Sequence, residues 1–124
     1  MNGNSVLLDT NIILYLLSGD KILSDLLYNK KLYISFVTQL ELLGYQGITI
    51  DEQNHIEEFL KDCIIIDINN QIKREVIMLK REEKVKLPDS IILGTSKYLG
   101  MPVITSDKDI SKIEAMDVIF YQKD

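Results

Sequence analysis

Apolar and polar positions divide the chain into short apolar runs that alternate with longer stretches of helical spacing. Val6-Leu7-Leu8 is continuous, as suits a parallel strand buried on both faces. It runs into Asp9, then Thr10-Asn11 and the periodic Ile12, Ile13, Leu14, Leu16 and Leu17 of a helix. Asp9 stands where strand becomes helix, either as a helix cap or as a group facing the crevice beyond the carboxyl ends of the strands. Ser18-Gly19-Asp20 stops that helix and starts a second, with Ile22, Leu23, Leu26 and Leu27 as its stripe and Lys30-Lys31 at its end. Tyr33 to Val37 reads as the second strand. Thr38-Gln39-Leu40-Glu41 has capping-box spacing and predicts a third helix from Thr38 to about Gly44; Thr49-Ile50-Asp51-Glu52 repeats the signal for a fourth, with Ile56, Phe59 and Leu60 on one face. Cys63 to Ile68 is a third strand. Asn69-Asn70 caps a helix that turns Ile72, Val76 and Leu79 inward and leaves Lys80 to Lys84 wet. Pro88 argues against a helix running through Leu87, so the next one is expected from near Asp89 to Gly100. It is apolar nearly all round with small residues for close packing, as a central buried helix would be. Pro102 to Thr105 forms a fourth strand, Asp107 to Ile113 a loop and short helix, and Val118 to Tyr121 a fifth strand.

This alternation predicts an α/β fold: parallel strands joined by right-handed crossovers, in a three-layer α/β/α sandwich spanning 1–124 as a single domain. With 124 residues and 46% hydrophobic content the chain can bury a real core. No apolar run approaches the roughly 20 residues of a membrane span, and Met1-Asn2-Gly3-Asn4 lacks the basic start of a signal peptide, so a soluble, cytoplasmic protein with no membrane association is expected. Cys63 is the single cysteine and reads as a small buried apolar residue, consistent with a reducing compartment. His55 is the single histidine, which excludes a His-rich metal site and a Ser-His or Cys-His triad. Chemistry must therefore run on carboxylates. The net charge of −5 argues against gripping nucleic acid by bulk electrostatics and favours a cation or a basic protein as partner.

Asp9 and Asp107 fall just past strand ends, and Glu41 and Asp89 in the first turns of predicted helices, so all of them can face one edge of the sheet. Each also has a plain structural explanation: Glu41 in a capping box, Asp89 against a helix dipole, Asp107 and Asp109 in a turn. Ionised carboxylates gathered in one crevice repel each other, and a divalent cation resolves the conflict. All-oxygen ligands favour Mg²⁺ or Mn²⁺, and such a site can bind a phosphodiester, activate water and stabilise a leaving oxygen.

Leu8-Asp9-Thr10-Asn11, Glu41 at a helix start, Pro88-Asp89-Ser90-Ile91-Ile92-Leu93-Gly94-Thr95 and Ile104-Thr105-Ser106-Asp107-Lys108-Asp109-Ile110 together resemble a PIN-domain ribonuclease. The resemblance implies a Rossmann-like sandwich with a five-stranded parallel sheet, and it extends to the VapC toxins of toxin-antitoxin pairs. On that resemblance, Asp9, Glu41, Asp89 and Asp107 match the catalytic, metal-binding acids, Asn11 and Thr105 match polar residues that orient them, and Asp109 matches a less constant acid. The implied activity is Mg²⁺- or Mn²⁺-dependent cleavage of RNA by water, and the implied partners are an RNA substrate, an antitoxin protein and a second copy in a homodimer. Lys21, Lys30, Lys31, Lys84, Lys86 and Lys108 are the candidate contacts to RNA, and only Lys108 is tied by sequence to the site.

Two rival readings remain at this stage. A receiver-type phosphoacceptor domain would use Asp67 after the third strand, with Thr105 and Lys108 in support, but leaves Glu41 and Asp89 without roles. A PIN-fold binding module would sequester a partner without catalysis.

Overall fold

The computed structural model describes residues 4–123. Met1-Asn2-Gly3, read above for a leader, and Asp124 lie outside the described residues. The elements follow in the order β1 (Ser5–Leu8), α1 (Thr10–Leu17), α2 (Lys21–Leu27), β2 (Lys31–Ser35), α3 (Phe36–Leu43), α4 (Ile50–Leu60), β3 (Ile64–Ile66), α5 (Asn70–Glu82), α6 (Leu87–Leu99), β4 (Val103–Thr105), α7 (Lys108–Ser111) and β5 (Val118–Phe120).

All strand pairings are parallel, in one five-stranded sheet of order β3-β2-β1-β4-β5. The alternation along β1 shows why. Val6 and Leu8 pack into the core that holds Ile12, Leu23, Leu42 and Ile56, whereas Leu7 packs into the other, with Leu79, Ile92, Leu93 and Ile110. Ile104 and Val103 of β4 divide in the same way, so helices cover both faces and the layers are α/β/α. Ser5 through Leu8 are all buried, which explains the unbroken apolar run. The edge strands are less covered: Ile64 and Ile65 of β3 are exposed, as are Ile119 and Phe120 of β5.

Several boundaries differ from the sequence reading. The second strand runs Lys31–Ser35, two residues earlier than Tyr33 to Val37, because the Ser35 hydroxyl accepts the Val37 N–H and starts α3 at Phe36. Thr38 and Glu41 therefore lie inside α3 and form no capping box. The box predicted at Thr49 is present in both halves, with Glu52 N–H to Thr49 Oγ1 at 3.1 Å and Thr49 N–H to Glu52 Oε1 at 3.0 Å. The third strand contracts from Cys63–Ile68 to Ile64–Ile66. Cys63 is only half-buried, and burial pushes its thiol up to about 11. α6 begins at Leu87, not Asp89, since a proline in the first turn lacks only an N–H that the helix leaves unpaired anyway. Asn69 caps α5 as expected, its Oδ1 accepting the Ile72 N–H at 2.8 Å. α6 is the central buried helix: Ser90, Ile92, Leu93, Gly94, Thr95 and Ser96 are all buried, and α5 lies against it. Among the described residues no helix is long and apolar enough to cross a membrane.

Strand order reverses at β1. The chain winds from β1 to β2 and β3 on one side, then returns to place β4 and β5 on the other. In open parallel sheets the crevice beyond the strand ends at such a switch point is the usual place for a ligand. Asp9 follows β1 there, and Thr105 ends β4.

Candidate active site

Thr105 is the buried pivot of this crevice. Its hydroxyl donates to Asp9 Oδ2 at 2.6 Å and accepts the Asp107 N–H at 3.0 Å, so one side chain fixes the acid after β1 and the acid after β4. Asp9 Oδ1 accepts the Thr10 N–H at 2.8 Å, and the Asp9 N–H donates to the Ile104 carbonyl at 3.0 Å. Asp9 is thus both the cap of α1 and a group at the strand ends, buried to 5% exposure. Each of its oxygens keeps a lone pair beyond the hydrogen bond it accepts. Burial pushes the Asp9 carboxyl above its ordinary value; the hydrogen bonds from Thr105 and Thr10 oppose this, and the charges of Asp107 and Glu41 add to it.

Glu41 reaches the site through Thr10. The Thr10 hydroxyl donates to Glu41 Oε1 at 2.7 Å and lies 3.1 Å from Thr38 Oγ1. Since the single Thr10 proton goes to Glu41, Thr38 is the donor to Thr10. The three-residue spacing of Thr38 and Glu41, which resembled a capping box, puts both on one face of α3 toward α1. Asp89 lies in the first turn of α6 and is half-buried. Burial raises its pKa first, then the charges of Asp9, Asp107 and Glu41, with Lys86 partly offsetting them. The four predicted acids thus share one electrostatic field.

The supporting residues divide. Thr105 orients two acids, as the resemblance implies, whereas Asn11 is exposed in the first turn of α1 and the bonds that hold Asp9 run to Thr10 and Thr105. Asp107 caps α7, its Oδ1 accepting the Asp109 N–H at 2.8 Å and the Ile110 N–H at 3.4 Å. Asp109 is exposed and lines, with Asp89 and Asp107, a cleft of about 340 Å³. Lys84 and Lys86 also line that cleft; Lys108, the lysine nearest the acids in sequence, does not. Asp67 follows the edge strand β3 and its Oδ1 accepts the Ile68 N–H at 2.8 Å, away from the switch point, so a receiver-type site around it is not formed. His55 Nε2 lies 3.3 Å from the Leu17 carbonyl and ties α4 to α1. Thr10 and Thr38 were missed from sequence; their adjacency depends on how α1 packs against α3.

Among the described residues no group of three or more His, Cys, Asp or Glu side chains is arranged closely enough to enclose a metal ion. The donor chemistry still fits a hard divalent cation. All these acidic side chains offer oxygen, and burial first, then the charges of neighbouring acids, disfavour ionisation of Asp9 and Asp89, a cost that a cation would relieve.

The profile of the PIN domain family matches residues 6–116. Among solved structures, a toxin-antitoxin complex from Klebsiella pneumoniae is 30% identical, with a TM-score of 0.78 over 92% of this chain and 95% of that one. VapBC-1 from nontypeable Haemophilus influenzae is 26% identical, with a TM-score of 0.73 over 94% of this chain and 97% of that one. VapBC2 from Rickettsia felis, bound to a DNA fragment from its promoter, is 20% identical, with a TM-score of 0.81 over 95% of this chain and 99% of that one. No curated protein sequence matches significantly.

Proposed function

The chain belongs to the PIN domain family, and from that premise we propose that it is a metal-dependent endoribonuclease, the VapC-like toxin of a toxin-antitoxin pair. The observation that carries this reading is that Thr105 ties Asp9 and Asp107 together at the switch point of the sheet, where burial raises Asp9 and Asp89 and the charges of Asp107 and Glu41 add to both. These acids would hold Mg²⁺ or Mn²⁺, whose charge, when bound, activates water and offsets the charge developing on the phosphodiester. Thr105 and Thr10 hold the Asp9 and Glu41 carboxylates in place, and Asp107 is fixed by the first turn of α7. Asp109 adds a further carboxylate at the cleft.

His55 contacts Leu17 from α4, so no imidazole is available to deprotonate a 2′-hydroxyl. Water is therefore the nucleophile, attacking phosphorus in line and leaving a 5′-phosphate and a 3′-hydroxyl. The 30% identical toxin-antitoxin complex supports an antitoxin as partner; RNA as the substrate and a cytoplasmic setting are part of the same proposal. A PIN-fold module that binds without cleaving is disfavoured by the intact acid set.

The test is cleavage of a structured RNA with Mn²⁺ or Mg²⁺, followed by end-group analysis. Asp9→Asn and EDTA are each expected to abolish it. Thr105→Val is expected to cost about 10 to 100-fold, as for residues that orient ligands, and Asn11→Ala less than any acid. A 2′,3′-cyclic phosphate product, or full activity in EDTA or in Asp9→Asn, would overturn the mechanism.

A further inference from the structure

The cleft that opens onto Asp89 and Asp107 has a second wall, made by the connection between α5 and α6. That connection is tied down. Glu83 N–H donates to the Leu79 carbonyl at 2.8 Å, Val85 N–H to the Glu83 carbonyl at 3.1 Å, and Lys80 Nζ to the Val85 carbonyl at 2.6 Å. The result is a short, fixed strap on which Lys84 and Lys86 are exposed beside the cleft. Neither is spent on an ion pair: among the described residues the single salt bridge is Lys61–Glu58. Lys86 lines the cleft together with Asp89 and stands immediately before the first turn of α6, whose start no side chain caps. Glu83 and Asp109 share the cleft, so Lys84 and Lys86 are the only positive charges among its lining residues. An anionic polymer entering a cleft otherwise walled by carboxylates must be met on this side.

Resting on the nuclease reading above, we infer that Lys86, assisted by Lys84, holds a backbone phosphate of the RNA beside Asp89, and that the α5–α6 strap is the substrate-positioning element of the site. It is a point-charge contact to phosphate, so it sets affinity and register without reading sequence.

The experiment measures binding of a fluorescent single-stranded RNA by anisotropy, in the Asp9→Asn background to prevent cleavage, across a salt series. Lys86→Ala is expected to weaken binding several-fold, equally for different sequences, and to reduce the slope of log affinity against log salt by about 0.7; Lys84→Ala adds a similar change. Lys73→Ala, on α5 away from the cleft, leaves both unchanged, and Lys86→Arg restores the slope, which separates lost charge from lost folding. In the cleaving protein, Lys86→Ala raises KM with kcat retained. Cleavage by the wild type with an unchanged salt slope and KM in Lys86→Ala would overturn this inference alone. So would an effect of Lys108→Ala equal to that of Lys86→Ala. Absence of both RNA binding and Mn²⁺-dependent cleavage in the wild type would overturn the nuclease reading with it.

Discussion

Asp89 shares its surroundings with three other carboxylates, and its raised pKa fixes how the fold responds to pH and to cations. The native group binds its proton more tightly than in the unfolded chain, where the value is 3.8. Stability from that proton is present at low pH and is lost as pH rises through the native value. At neutral pH the ionised carboxyl is thus a cost to the metal-free fold. In EDTA at pH 7, Asp89→Asn is expected to melt above the wild type, with the gap closing as pH falls through the native pKa toward 3.8. Millimolar Mg²⁺ or Mn²⁺ is expected to raise the wild-type melting temperature by mass action and that of Asp89→Asn less; Asp67→Asn should respond as the wild type does. Identical melting of wild type and Asp89→Asn at every pH, or identical cation shifts, would show that the acids are not coupled. Asp9, Asp89 and Asp107 were legible because each stands at a recognisable end or start of an element, and Thr105 because it ends a strand beside one of them; Glu41, expected in a first turn, lies in the second half of α3. The Thr10 contacts with Glu41 and Thr38 were not, because nothing local encodes which helix faces meet. Lys108 neighbours Asp107 in sequence yet does not line the cleft, since consecutive helical residues face different ways.

At the scale of elements, the α5–α6 pair positions both Asp89 and the strap. Gly94 of α6 packs directly against Val76 and Ile72 of α5. A Cβ there would lie 2.8 Å from Val76 Cγ2 and 3.3 Å from the Val76 nitrogen, contacts that a stiff β-branched residue and a backbone atom cannot yield cheaply. Alanine would gain about 1 kcal/mol in helix propensity, but overpacking costs about 1–3 kcal/mol. Gly94→Val is therefore expected to destabilise by the upper part of that range or more. Val76→Ala should relieve Gly94→Ala, giving a double mutant more stable than the sum of the single changes predicts. Denaturant unfolding measures both, and strict additivity would mean that the close approach is not strained. Helix caps were the most legible feature: Thr49-Glu52 and Asn69 act as their spacing suggests, because a cap is a local hydrogen bond. The Thr38-Glu41 spacing matched the same pattern and failed, since Ser35 captures the helix start first. Strand limits depend on partners: β3 keeps only the residues that face Tyr33 to Ser35 across the sheet.

For the whole molecule, the layer order was legible because apolar runs alternate with amphipathic ones, whereas the degree of cover on the edge strands was not. Leu40 on α3 and Ile77 and Met78 on α5 remain at least half exposed, at 59%, 50% and 52%. A standard interface removes about 800 Å² per partner, a modest part of the 7702 Å² surface of this chain, and a homodimer is expected from sedimentation at high concentration. A monomer throughout the concentration range would remove that expectation. The net charge of −5 favours a basic segment on a protein partner such as the proposed antitoxin. The pairing of β1 with β4 also orders events in time. Asp9 is synthesised well before the Ile104 carbonyl that pins its backbone and the Thr105 hydroxyl that holds its side chain. A nascent chain that carries only β1, β2 and β3 therefore lacks both bonds, and Asp9 is fixed in place only once β4 has docked beside β1.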